Sequence, residues 1–176
     1  MDASSRPGVA DLDALGSALT VVAPPEFEDD NGHVNVGHYY RLHMEAADSH
    51  FHDLGFDDDY RERTGHSVFS VEHHIRFYDE SLVGDDLSVH LRLLGVGTKA
   101  LHGLTIIVNR SRGTIANTLE FLELHVDLTT RRTVEMPEPL LAPLRAEHER
   151  HARLPWSLPL SDAMGVRQPT GTTARV

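Results

Sequence analysis

The sequence predicts an α+β fold: a curved antiparallel sheet of five strands wrapped around one long helix. Three observations carry that prediction. A capped helical segment occupies about residues 36–54, a two-residue apolar period replaces the helical one from Ser67 onward, and the links between the last four strands are short. Short links demand antiparallel neighbours, because parallel strands need crossovers of a dozen or more residues.

The elements follow in chain order. Leu19, Val21 and Val22 form a first strand that stops before Pro24 and Pro25, which have no N–H to give to a ladder. The polar turn FEDDNGHVN comes next. In the helix that follows, Asn35 is a suitable N-cap and Gly55 a suitable C-terminal glycine. Tyr39, Tyr40, Met44, Ala47, Phe51 and Leu54 approximate its buried stripe. Asp57, Asp58, Asp59, Arg61 and Glu62 make a short polar helix or loop. Phe69, Val71, His73, Ile75 and Phe77 alternate with polar residues as a half-buried strand.

After a turn at Gly84-Asp85-Asp86, Leu87, Val89, Leu91 and Leu93 alternate again. Further strands occupy residues 101–108 and 115–126, joined through Ser111-Arg112-Gly113. The run LEFLELHV within the last is apolar on both faces, which suggests the helix on one side and a partner subunit on the other. A final helix covers residues 140–152. Residues 1–17 and 157–176 read as flexible tails around a single domain, residues 18–156.

Composition limits the chemistry. There are 176 residues, 16 basic and 27 acidic, for a formal net charge of −11. That is the wrong sign for a nucleic-acid partner. No apolar run is long enough to span a membrane, and the first residues resemble no signal peptide, so a cytoplasmic location is expected. The absence of cysteine excludes disulfides, thiolate metal sites and a cysteine nucleophile. His33, His38 and His43 lie five residues apart, which turns a helix by about 140° and forms no i, i+4 metal pair. No metal or cofactor is expected. Lys99 is the only lysine, a handle for an anionic ligand.

The densest polar cluster is Glu28-Asp29-Asp30-Asn31-Gly32-His33 with Asn35, directly before the long helix. Free N–H groups at a helix N-terminus can hold an oxyanion, and a neighbouring carboxylate can attack the same carbonyl or activate water against it. The same residue types also build an ordinary capped turn.

The string Asp29-Asp30-Asn31-Gly32-His33-Val34-Asn35, with Tyr39 and Glu45-Ala46, resembles the D-x-x-G-H-[VM]-N-x-x-x-Y signature of hotdog-fold acyl-CoA thioesterases of the 4-hydroxybenzoyl-CoA thioesterase type. SVEHHIRFYDESLVGDDLSV and HVDLTTRRTVEMPEPL extend the resemblance, which covers about residues 19–140. It implies an acyl-CoA hydrolase with Asp29 as nucleophile or general base, and with the Val36 or Gly37 N–H as oxyanion donor. His33 orders the loop, and Asn35 caps the helix or touches substrate. Val36 replaces the signature's second Asn. The family also implies a homodimer or a tetramer with active sites at subunit interfaces.

Asp-x-Asn-Gly-His, Glu72-His73-His74, Lys99 with His102, and Glu120 with His125-Val126-Asp127 are together similar to thioesterases of carnitine degradation, which act on betainyl-CoA. A trimethylammonium group needs aromatic faces or carboxylates. Tyr39, Tyr40, Glu72 and Glu123 are candidates. Lys99, Arg76, Arg92, Arg110 and Arg112 are candidates for the CoA phosphates. A hotdog module that binds acyl thioesters without hydrolysing them, and a hotdog hydratase or dehydratase, are the alternatives.

Overall fold

The computed structural model describes residues 7–166. Its sheet contains β1 (Leu19–Val22), β2 (His66–Phe77), β3 (Asp86–Val96), β4 (Ala100–Asn109) and β5 (Thr114–Asp127). All pairings are antiparallel, in the order β1-β3-β4-β5-β2. The helices are α1 (Val9–Leu12), α2 (Val36–Asp53), α3 (Asp58–Thr64) and α4 (Glu138–Ala152). The expected five-stranded sheet around one long helix is present.

Helix α2 starts and stops for local reasons. Asn35 Oδ1 accepts the Gly37 N–H at 2.9 Å, and Gly55 beyond the last turn takes φ +100°, a conformation that side chains disfavour. Its buried side is Tyr39, Leu42, His43, Ala46, Ala47 and Phe51. Ala47 and Phe51 pack with Leu91, Leu93, Leu119 and Phe121 of the sheet. Tyr40, expected in the buried stripe, is instead 45% exposed. Val36, Tyr40, Met44 and Asp48 are spaced four apart, so they form one row along the rim of the buried face.

A buried polar cluster sits in this apolar layer. His43 is fully buried, with Nε2 against Asn117 Oδ1 and Nδ1 at 2.8 Å from the Thr105 hydroxyl. Burial pulls its pKa down to about 4. An amide oxygen only accepts, so the neutral ring is assigned its proton on Nε2.

The chain's own ends cover the outer face of β4 and the start of β5, while Leu122 and Leu124 on the outer side of the LEFLELHV run stay half-buried. Leu104, Ile106, Val108 and Ile115 pack with Leu12, Trp156 and Leu158. Residues 7–17 and 157–166, read as flexible, therefore include anchors: Leu12 is fully buried, and Ser161 N–H donates to Glu120 Oε2 at 2.6 Å. Burying these apolar side chains outweighs the lack of periodicity around them. The rest of the two predicted tails, residues 1–6 and 167–176, lies outside the described residues.

The two ends of the sheet differ. β1 pairs with β3 only as far as Val89. Beyond it α4 closes the free edge of β3, where Leu93 N–H donates to His151 Nδ1 at 3.0 Å and His148 Nε2 meets Leu94 O at 3.1 Å. β2 is the other edge, with Phe69, Val71 and Phe77 exposed at 37%, 51% and 50%. An open apolar edge of this kind is a template for another strand.

Candidate functional site

The loop between Phe27 and α2 is folded by its backbone. Asn35 N–H donates to Phe27 O at 2.8 Å, Asp29 N–H to His33 O at 3.0 Å, and Gly32 N–H to Asp29 O at 3.0 Å. Gly32 has φ +78°, the left-handed conformation that closes the turn. Val34 N–H donates to Ser81 O at 2.8 Å and ties the loop to the segment after β2.

This geometry aims Asp29 inward and leaves Asp30 exposed. Asp29 Oδ1 accepts the Asn31 N–H at 2.8 Å and lies 3.4 Å from His33 Nδ1. Asp29, His33, Val36, Tyr39, Phe77 and Asp79 line a cleft of about 420 Å³. The cap occupies the Gly37 N–H, whereas the Val36 N–H has no acceptor among the described residues. Of the two expected oxyanion donors, Val36 is the one left free. A carboxylate and an unpaired helix N-terminal N–H thus share one cleft, an arrangement that can attack a carbonyl and hold the resulting oxyanion.

The other expected residues divide. Asn35 is the cap. Tyr39 is a floor residue, 3% exposed, whose hydroxyl accepts the Ser81 N–H at 2.8 Å and whose ring meets Phe77 edge-on. Glu72 is exposed on edge strand β2. Lys99 sits in the β3–β4 turn, separated from the Asp29 end by the 11 residues of β3, roughly 30 Å at the usual strand rise. Within one chain neither joins the cleft.

The arginines suggested for phosphate are largely engaged elsewhere. Arg92 donates to Trp156 O at 2.7 Å and lies over its ring, Arg110 pairs with Asp13 at 2.6 Å, and Arg76 donates to Leu160 O at 3.1 Å. Arg112 lies 3.4 Å from Asp85 and 3.5 Å from Glu80. Among the described residues no three His, Asp or Glu side chains are placed to share a metal ion.

A second cavity, about 310 Å³, opens beside the far end of α2 and is lined by Asp48, Phe51, Phe56, Tyr60, His66 and Glu123. Glu123 is 6% exposed. Ser70 Oγ donates to its Oε1 at 3.2 Å, and its buried Oε2 has no partner. Burial raises its pKa to about 7; the Ser70 hydrogen bond opposes the rise and the charge of Asp48 adds to it. Glu123 was a sequence candidate for a trimethylammonium group, whereas Asp48 gave no signal.

The model of the thioesterase-like superfamily matches residues 23–144. The chain belongs to this superfamily. It is 38% identical over 139 residues to an L-carnitine dehydrogenase/betainyl-CoA thioesterase of Agrobacterium fabrum, covering 79% of this chain and 28% of that protein. It therefore spans under a third of that longer relative. A betainyl-CoA thioesterase of Pseudomonas aeruginosa is 32% identical over 131 residues, 74% of this chain and 82% of its own length.

Among solved structures, a Staphylococcus aureus protein in complex with CoA aligns with TM-score 0.76 at 22% identity, covering 86% of this chain and 94% of that one. The 1,4-dihydroxy-2-naphthoyl-CoA thioesterase of Synechocystis aligns with TM-score 0.61 at 15% identity, covering 69% and 89%. These likenesses establish that this thioesterase-family chain has the hotdog fold. No helix among its described residues is long and apolar enough to cross a membrane.

Proposed function

We propose that this chain hydrolyses an acyl-CoA thioester with the Asp29 carboxylate, and that its acyl group is betainyl. The observation that carries the reading is the shared cleft of Asp29 and the free Val36 N–H. The thioester oxygen binds at Val36, where the helix N-terminus stabilises the negative charge it develops. Asp29 either attacks the carbonyl carbon, releasing CoA thiolate and an anhydride that water then opens, or takes a proton from the water that attacks. His33, 3.4 Å from the carboxylate, positions it. The betainyl group is supported by the relatives at 32% and 38% identity.

The working unit in this reading is a homodimer joined along β2. Exposed Val71 and Phe77 on the strand, and Val36 and Tyr40 on the helix rim, form the apolar surface that a second copy covers.

The test is release of free thiol from a panel of acyl-CoAs that includes betainyl-CoA. Asp29→Asn is expected to lower kcat by roughly 10²–10⁴-fold, the usual worth of such a group, with unchanged circular dichroism. Full activity in that variant refutes the mechanism. No thiol release by the wild type from any member refutes hydrolysis and leaves a binding module.

A further inference from the structure

We infer that the cavity lined by Asp48 and Glu123 is an organic-cation site that serves the Asp29 cleft of the partner subunit. The inference rests on the betainyl-CoA reading above and deepens it by naming the residues that recognise the cation.

The cavity is built for such a group. Phe51, Phe56 and Tyr60 supply aromatic walls and Asp48 a carboxylate. Glu123 presents a buried oxygen without a hydrogen-bond partner. Native structures rarely leave such an oxygen unsatisfied. Arg61 at the rim is paired with Asp58 at 2.8 Å, so it does not neutralise Glu123. A quaternary ammonium offers no N–H but carries a positive charge on apolar methyls, and aromatic faces with a carboxylate complement both properties. A hydrated metal ion would instead require several oxygen ligands and has no use for the rings.

Within one chain this site is too far from the chemistry. Val36 and Asp48 are separated by about 18 Å along α2 at the usual helix rise. In a betainyl thioester only one methylene separates the cation from the carbonyl carbon. The two cavities, however, touch opposite ends of the same open edge strand. Phe77 lines the Asp29 cleft, and His66, Ser67 and Val68 line the Glu123 cavity. Two β2 edges paired antiparallel about a two-fold axis bring the Phe77 end of one copy to the His66 end of the other. The rim row of α2 reverses in the same way, with Val36 of one copy toward the Asp48 end of its partner. The pairing that covers the exposed edge therefore joins each carboxylate–N–H cleft to a cation cavity.

The experiment compares betainyl-CoA with tert-butylacetyl-CoA, its uncharged isostere, in the wild type, Glu123→Gln and Asp48→Asn. Glu123→Gln should reduce the ratio of kcat/KM values, cationic over neutral, at least tenfold through KM; Asp48→Asn should reduce it less. A ratio unchanged in both variants overturns the site. Co-expression of Asp29→Asn with Glu123→Gln chains tests the crossing of the interface. Each mixed dimer contains one intact composite site, so betainyl-CoA turnover should recover to about a quarter of wild type under random pairing. No recovery above the two separate variants overturns the partner assignment. A wild type inert on both esters fails the thioesterase reading alone. The cavity is then decided by calorimetry with choline: binding lost in Glu123→Gln upholds it, and no binding to the wild type overturns it.

Discussion

Glu123→Gln should make the fold more stable at neutral pH and remove a specific pH dependence. The folded carboxyl titrates near 7 because burial penalises its charge, opposed by Ser70 and reinforced by Asp48, against an ordinary value of 4.5. Below about pH 4.5 the group is neutral in both states and contributes nothing to the difference. Between 4.5 and 7 the unfolded chain releases its proton while the folded chain keeps it, so stability falls as pH rises; above 7 the loss is complete. At about 1.4 kcal/mol per pH unit, the interval amounts to about 3 kcal/mol. Other charged or titratable groups lining the cavity are His52, Asp57, Asp58, Tyr60, Arg61 and His66, and they are the same in both proteins. Urea denaturation at pH 5 and pH 8, at one protein concentration, therefore isolates Glu123 as the change in the gap between variant and wild type. The variant should gain about 2–3 kcal/mol on the wild type between the two pH values, since part of the loss has already occurred by pH 5. An equal gap at both pH values would show that Glu123 is ionised in the fold throughout and would refute the reasoning.

Three further outcomes are expected. Val36→Pro removes one N–H at the first helical position, where proline is favoured, and Asn35 at ψ 143° already has the extended conformation required before it. The helix signal should persist while kcat falls by roughly 10²–10³-fold, and an unaltered kcat excludes Val36 as the oxyanion donor. Val71→Asp puts a charge on the open strand; sedimentation should show monomers and thiol release should cease, whereas an active dimer would place the interface elsewhere. Gly103→Ala introduces a Cβ 2.3 Å from the Phe121 ring, so chemical denaturation should register a loss of about 1–3 kcal/mol.

The element boundaries were legible because local chemistry sets them. Asn35 and Gly55 bracket α2, Pro24 and Pro25 end β1, and Gly84 turns into β3 at φ +87°. The buried side of α2 was less legible. Tyr39, Ala47 and Phe51 of the expected stripe are buried, but Tyr40 lies on the rim, and Leu42, His43 and Ala46, one of them polar and one small, were missed. The cover that the chain's ends lay over β4 was not legible, because Leu12, Trp156 and Leu158 are isolated apolar residues in polar surroundings, with no period to announce their packing. The Asp29 cleft was readable from its motif, since loop and helix start are contiguous in sequence. The Glu123 cavity was not, because its walls come from α2, the turn after it, α3, β2 and β5, and only tertiary packing assembles them.

In the proposed dimer, the difference between the two rims of the sheet bears on growth as well as on assembly. A sheet with two bare edges can recruit copies indefinitely and become a fibre. Here α4 closes off the stretch of β3 that the short β1 leaves unpaired, through His151 and His148, whereas β2 is bare along its whole length. In the proposed dimer, joining two β2 margins uses up that edge of both copies, so strand addition along it ends there.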